Sequence, residues 1–152
     1  MRVLLQRITE AEVRVDGKSV SATKRGYLLF LGIIQGDTET EAKWLAEKIS
    51  KLRLFDAETG KVNDRSILDI DGDILVVSQF TLAGDTAKGN RPDYTSAADP
   101  VLAEALYERF MQYLRECGVR RVESGKFRAM MEVQLTNDGP VTLLLERGPV
   151  AK

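Results

Sequence analysis

Histidine is absent from this 152-residue chain, and cysteine occurs only once, as Cys117. A single cysteine cannot form an internal disulfide, and without His/Cys clusters the usual zinc ligands are missing. The absence of histidine also removes the general base of Ser-His-Asp and Cys-His triads. Any hydrolysis by this protein must therefore proceed another way, and we expect no metal and no cofactor.

Long apolar segments are also absent. The longest run, residues 27–34, is far below the roughly 20 residues of a membrane span. The first eight residues include Arg2, Gln6 and Arg7, which make them too polar for a signal peptide. We therefore expect a cytoplasmic protein that does not contact a membrane.

Charge is nearly balanced, with 22 Lys and Arg against 23 Asp and Glu, for a net charge of -1. A nucleic-acid partner would need a local basic patch rather than a global field. Residues 115–128 offer one candidate patch, although a solvated loop after a helix explains the same residues equally well.

The chain has no linker, repeat or low-complexity tract, which favours one domain. Residues 3–8 predict a first strand, and Asp16-Gly17 predicts the turn of a hairpin that returns through Val20. Residues 27–34 lack polar alternation, which is typical of a central strand covered on both faces.

Two helices are predicted. The first begins with a capping box, Thr38 to Glu41, and the second has Asp99 as its cap and Pro100 in its first turn. The second helix stops at Gly118, which makes Cys117 most simply a core thiol. Packing in the core or at its rim accounts for Trp44, Tyr107 and Met111.

Further strands are predicted at residues 74–77, 131–135 and 141–145. Strands and helices together indicate a single mixed α/β domain, with layers of mixed β-sheet and two main helices packed on one face.

A polar cluster of Ser78, Gln79 and Thr81 follows the apolar residues 74–77, at a strand end where binding groups are common. Hydroxyl residues that satisfy local backbone groups are the simpler explanation. The next stretch, residues 83–92, carries Lys88 and Arg91 and either cradles phosphate or is a surface loop. It lacks the Walker spacing, so nucleotide hydrolysis is not supported.

A second polar motif, Asn137-Asp138-Gly139-Pro140, lies between two apolar segments. By its residue types it predicts a tight hairpin turn. A cis Gly139-Pro140 bond, at modest cost, would instead aim two backbone carbonyls in a fixed direction. Spacing alone does not choose between them.

Together the two motifs resemble those of the bacterial D-aminoacyl-tRNA deacylase family. Residues 78–82 match its S-Q-F-T-L element and residues 137–142 its N-x-G-P-V-T element. Other matches follow in the family's order: Leu5-Gln6-Arg7-Ile8, Lys61-x-Asn63, Gly84-Asp85-Thr86, Lys88-Gly89 and Arg91-Pro92. The resemblance covers residues 1–146 as one domain and leaves 147–152 as a tail. Arg128 and Met130 depart from it, since the family has a small and an acidic residue there.

The resemblance implies a metal-free homodimer that hydrolyses D-aminoacyl-tRNA, and glycyl-tRNA mischarged on tRNA-Ala, while rejecting L-aminoacyl groups. It implies a cis Gly139-Pro140 bond that enters the partner subunit's site. The residues it assigns are Ser78, Gln79, Phe80 and Thr81 to catalysis, Arg7, Met131, Asn137, Gly139 and Pro140 to substrate binding, and Lys88 and Arg91 to tRNA binding. The alternative function is a non-catalytic module that binds RNA or a small ligand through the same loops.

Overall fold

The computed structural model describes residues 1–148 as eight strands, two α-helices and a short 3-10 helix. The strands are β1 (Arg2–Val15), β2 (Lys18–Thr23), β3 (Gly26–Gly32), β4 (Arg53–Phe55), β5 (Arg65–Ser66), β6 (Asp73–Ser78), β7 (Val122–Ser124) and β8 (Glu132–Glu146). The helices are α1 (Glu39–Lys51), the 3-10 helix (Phe80–Ala83) and α2 (Pro100–Glu116). None of the helices in this described part is long and apolar enough to cross a bilayer.

Strand β1 organises the main sheet because it changes partner along its length. Its first half pairs antiparallel with β3 and its second half with β2, while β8 follows its other edge. Strands β3, β6 and β7 run parallel, so the sheet is mixed and has the order β2-β1-β3-β6-β7. The sheet bends over a small apolar core that includes Ile8, Val13, Leu28 and Leu75.

Helices α1 and α2 cover the main core, which confirms the predicted packing of two helices on the sheet. Leu45 and Ile49 of α1 and Phe110 and Leu114 of α2 are fully buried in this core. Both predicted caps are present: Thr38 and Glu41 form the capping box, and Asp99 accepts a hydrogen bond from the N–H of Val101. The Asp16-Gly17 hairpin is also present, with both residues at positive φ.

Several local predictions need correction. Cys117 is partly exposed at the end of α2 rather than a core thiol, because it is the C-cap residue of the helix. Tyr107 and Met111 are buried as expected, while Trp44 is 39% exposed at the rim. Strands β4, β5 and β7 were not predicted, since two or three residues are too few to show a period.

Of the two alternatives for residues 137–140, the hairpin turn is wrong. The segments before and after this motif both pair antiparallel with β1, so the chain does not reverse. Thr142 lies opposite Gln6 and Asn137 lies opposite Ile8, which leaves residues 138–141 opposite the single residue Arg7. These four residues form a bulge in one long strand, and the Gly139-Pro140 bond within it is cis, as expected.

Gly26 is required where β3 meets β6, because an added Cβ would lie 1.8 Å from the carbonyl oxygen of Asp73. The ladder that joins the two strands prevents either from moving aside. We expect Gly26→Ala to lower the free energy of unfolding by about 3 kcal/mol. At Gly148 an added Cβ would meet nothing within 4 Å, and Gly148→Ala should change stability by less than about 0.5 kcal/mol. Denaturant unfolding compares the two variants, and equal stability would contradict this expectation.

Candidate active site

An open cleft of about 460 Å³ lies at the end of β6. Apolar residues from β3, β6, α2, β8 and the loop before β8 form most of its wall. Its polar lining consists of Ser78, Gln79, Thr81 and Arg128. The four residues predicted as catalytic, together with Met131, therefore line one cleft.

The chain leaves the sheet abruptly at this cleft. Strand β6 ends at Ser78, opposite Leu31 of β3, and the N–H of Gln79 donates to the Leu31 carbonyl at 2.8 Å. The 3-10 helix follows at once, so the polar residues expected at the strand end lie in a helical turn.

This turn leaves backbone donors unused. Gln79 is its N-cap and makes no side-chain capping bond. The first N–H groups of a helix have no acceptor within the helix, and among residues 1–148 those of Phe80 and Thr81 have no other acceptor. Two adjacent N–H donors in the lining of the cleft are thus available to an external oxygen.

Close packing fixes the position of the turn. An added Cβ on Gly32 would lie 2.8 Å from Cβ of Leu82 and 3.0 Å from the carbonyl oxygen of Gln79. Arg2 Nη1 donates to the Leu82 carbonyl at 2.7 Å. The end of β3 and the start of β1 therefore hold the turn from two sides.

The Thr81 hydroxyl is the candidate nucleophile of the cleft, but no general base is placed to deprotonate it. Its Oγ1 accepts a hydrogen bond from Gln79 Nε2 at 2.5 Å. Within the described residues no carboxylate contacts this hydroxyl, and no group of three His, Cys, Asp or Glu residues is placed to hold a metal. The contact fixes the orientation of Thr81 without activating it.

Tyr107 packs behind the wall of the cleft, a role beyond the core packing that its residue type predicted. Its hydroxyl donates to the Val76 carbonyl at 2.7 Å, and its ring lies 5.7 Å from that of Phe127, which lines the cleft. Burial raises the pKa of Tyr107 above its usual value, so the hydroxyl stays protonated and keeps donating.

A second cluster surrounds the buried Arg7. Its Nε lies 3.0 Å from Asp138 Oδ2 and donates to the Asp138 carbonyl at 3.2 Å, and its Nη2 approaches the Gly139 carbonyl at 3.5 Å. Its Nη1 donates to the carbonyl of Leu54 in β4. Arg7 thus ties the bulge to the short β4–β5 hairpin.

Asn137 closes the base of this bulge. Its Nδ2 donates to the carbonyls of Arg7 and Val141, at 2.8 and 3.2 Å. Gly139 and Pro140 are exposed beyond it. Arg7, Asn137, Gly139 and Pro140 therefore form a separate group, and none of them lines the cleft of its own chain.

The predicted basic patch over residues 115–128 is largely neutralised. Arg120 pairs with Asp71 at 2.7 Å, and Arg121 lies near Asp73 and Glu123. Arg115 donates to a backbone carbonyl instead. Asp71 and Asp73 lie nearly 50 residues before this stretch, so a charge count over residues 115–128 could not include them.

Lys88 and Arg91 are exposed on a loop outside the cleft lining. Backbone hydrogen bonds between Asp85 and Asp93, at 2.7 and 2.9 Å, close this loop. The two cations therefore lie on a closed surface loop.

Comparison with known proteins assigns the family. The family model described as D-Tyr-tRNA(Tyr) deacylase matches residues 4–146. The D-aminoacyl-tRNA deacylase of Thermotoga petrophila is 56% identical over 146 residues, which cover 96% of this chain and 97% of that protein. The protein of the same name from Exiguobacterium sp. is 55% identical over 147 residues, 97% and 99% of the two chains.

Two solved structures show the same architecture. One, described as c-Myc DNA Unwinding Element Binding Protein, has a TM-score of 0.92 and 41% identity, with 98% of this chain and 100% of that chain covered. A probable eukaryotic D-amino acid tRNA deacylase has a TM-score of 0.81 and 21% identity over 95% and 97% of the two chains, which shows the fold alone. By the family match and the bacterial relatives, this chain belongs to the D-aminoacyl-tRNA deacylase family.

Proposed function

We propose that the protein hydrolyses the ester bond between a D-amino acid and the terminal ribose of tRNA, releasing both. The family supports the substrate class. The observation that carries the chemistry is the uncapped 3-10 turn in the cleft, with the N–H groups of Phe80 and Thr81 unused. Preorganised N–H donors stabilise the negative charge that develops on a carbonyl oxygen during acyl transfer.

The reaction needs no histidine because an aminoacyl ester is already activated. The vicinal hydroxyl of the ribose can assist proton transfer, so orientation and oxyanion stabilisation supply the rate. In this scheme Ser78 and Gln79 shape the turn, and Gln79 orients the Thr81 hydroxyl. Thr81 positions or polarises the substrate and forms no covalent intermediate. Phe80 donates its backbone N–H, and its ring forms part of the cleft wall.

A second copy of the chain completes the site in this proposal. Strand β8 pairs with β1 alone among the described residues, so one edge of this 15-residue strand is unpaired. Long free edges pair readily with another chain. Arg7 and Asn137 hold the exposed Gly139-Pro140 segment in place, and it would enter the partner subunit's cleft beside Met131.

Backbone inserted in this way would select the substrate by exclusion. An L-residue would drive its side chain into backbone that no rotamer change can relieve, whereas a D-residue would direct it outward. Glycine has no side chain to exclude, so glycyl-tRNA mischarged on tRNA-Ala would also be hydrolysed. Lys88 and Arg91 would contact tRNA phosphates outside the cleft, in the cytoplasm where tRNA is charged.

Turnover of matched substrates tests this function. Purified protein should release D-tyrosine from D-Tyr-tRNA and glycine from Gly-tRNA well above the spontaneous rate, and leave L-Tyr-tRNA at that rate. The physical reason is that the N–H donors act on every ester that fits, while the backbone excludes L-side chains. Tight tRNA binding with no release of D-tyrosine would favour the non-catalytic alternative.

The role of Thr81 is tested by removing its hydroxyl. We expect Thr81→Ala to retain measurable turnover of D-Tyr-tRNA, reduced by about tenfold to a hundredfold, because the N–H donors remain. Thr81→Ser, which keeps the hydroxyl, should restore most of the activity. Mass spectrometry of the wild type quenched during turnover should find no aminoacyl adduct, and a D-tyrosyl ester on Thr81 would overturn the assignment.

The dimer is tested at β8. Light scattering should give about twice the 16.9 kDa chain mass, and Leu144→Glu should yield inactive monomers because a charge would be buried between two copies. Leu144 is 57% exposed on β8, and Val20, 44% exposed on β2, provides a matched control. Val20→Glu should remain dimeric and active. A monomeric wild type with full activity would contradict the proposal.

A further inference from the structure

Arg128 is the one charged residue among the described residues that line the cleft. The other lining residues are apolar or uncharged polar. Arg128 is exposed and, within residues 1–148, makes no ion pair and no side-chain hydrogen bond, unlike Arg120 and Arg121 nearby in sequence. An apolar cleft with a single free guanidinium is suited to a ligand that carries one negative charge.

The backbone gives no reason for an arginine at this position. Arg128 has a φ of 60°, in the left-handed region where glycine is favoured over residues with a Cβ. Asp16, Asn63 and Asp71 also have positive φ, but Asn and Asp tolerate this region because their short side chains bond locally, whereas arginine gains no such compensation. Residues held in this region are enriched at ligand sites.

The loop that carries Arg128 is anchored on both sides. Phe127 packs against Tyr107, and an added Cβ on Gly125 would lie 2.7 Å from Sδ of Met131. These contacts fix the backbone on either side of Arg128, so its side chain starts from a defined place in the cleft lining.

The substrate offers one matching group near its ester. The amino group of the amino acid is positively charged, whereas the ribose and base are neutral. The nearest negative charge is the phosphate on the 5′ oxygen of the ester-bearing nucleoside. Resting on the function proposed above, we propose that Arg128 binds this phosphate and so anchors the reacting nucleoside in the cleft.

A chemical double-mutant cycle tests the contact without turnover. The probe is a fluorescent tRNA minihelix whose terminal nucleoside carries D-tyrosine through a stable amide, made with either a normal last phosphate or a neutral methylphosphonate. Arg128→Gly is the variant, since glycine suits the positive φ and should fold. Arg120→Gln is the control, because it removes an equal charge outside the cleft.

The wild type and Arg120→Gln should bind the neutral probe about tenfold more weakly than the charged one, as expected for a charge-assisted contact. Arg128→Gly should bind both probes equally, at the weaker level. The slope of log affinity against log salt for the charged probe should also fall by about one on Arg128→Gly. The inference would be overturned if the wild type bound both probes equally well, or if Arg128→Gly still bound the charged probe more tightly than the neutral one.

Kinetics separate this inference from the proposed function. Arg128→Gly should raise KM for D-Tyr-tRNA by about tenfold and leave hydrolysis of 3′-O-D-tyrosyl-adenosine, which has no phosphate, at the wild-type rate. Equal losses on both substrates, or a loss confined to acidic D-amino acids, would contradict the phosphate contact. A wild type that hydrolyses neither substrate would refute the proposed function, while the binding cycle would still decide the role of Arg128.

Discussion

The last hydrogen bond between β3 and β6 fixes the geometry of the cleft. The N–H of Gln79 donates to the Leu31 carbonyl, and the next residues enter a 3-10 turn pressed against Gly32. The start of a helix leaves N–H groups unpaired, and here no side chain caps them. A strand that ended one residue later, or a Ser or Asp as the cap, would occupy these donors. The proposed chemistry thus depends on an ordinary property of helix ends, placed at the edge of an apolar cleft.

Arg7 imposes the second constraint. It is buried, and its donors reach carbonyls in β4 and in the bulge of β8. A buried guanidinium needs such partners to offset its lost hydration. The bulge is therefore held at its base while Gly139 and Pro140 remain exposed. In the proposed dimer this arrangement gives a rigid backbone probe, which suits selection by exclusion better than a flexible side chain would.

Features set by neighbouring residues were predictable from the sequence. The Asp16-Gly17 hairpin and the caps at Thr38 and Asp99 depend on local hydrogen bonds and were confirmed. For residues 137–140 the sequence could not exclude a hairpin turn, because the turn residues are local, whereas the pairing with β1 that makes them a bulge spans about 130 residues of sequence. Likewise, Asp71 and Asp73 neutralise a basic stretch that lies nearly 50 residues away.

The same distinction applies to the site. The motif at residues 78–81 located the cleft, but no sequence pattern showed that the chain becomes a 3-10 turn there. Arg128 was visible only as one cation in a charged stretch and as a departure from the family. Its place in the cleft and its positive φ depend on packing around Phe127 and Gly125, which residue types alone do not encode.

Replacing the amide of Phe80 by an ester is the most direct test of the central claim, that backbone N–H groups polarise the substrate carbonyl. The α-hydroxy analogue of phenylalanine at position 80 keeps the ring and removes the N–H; it also weakens the Gln79 carbonyl as an acceptor for the Leu82 N–H. The same replacement at Leu82, which removes the other partner of that hydrogen bond, is therefore the control and should leave kcat near the wild-type value. We expect kcat for D-Tyr-tRNA to fall by about a hundredfold to a thousandfold with little change in KM, as for other lost oxyanion donors. A kcat equal to that of the wild type would contradict this account.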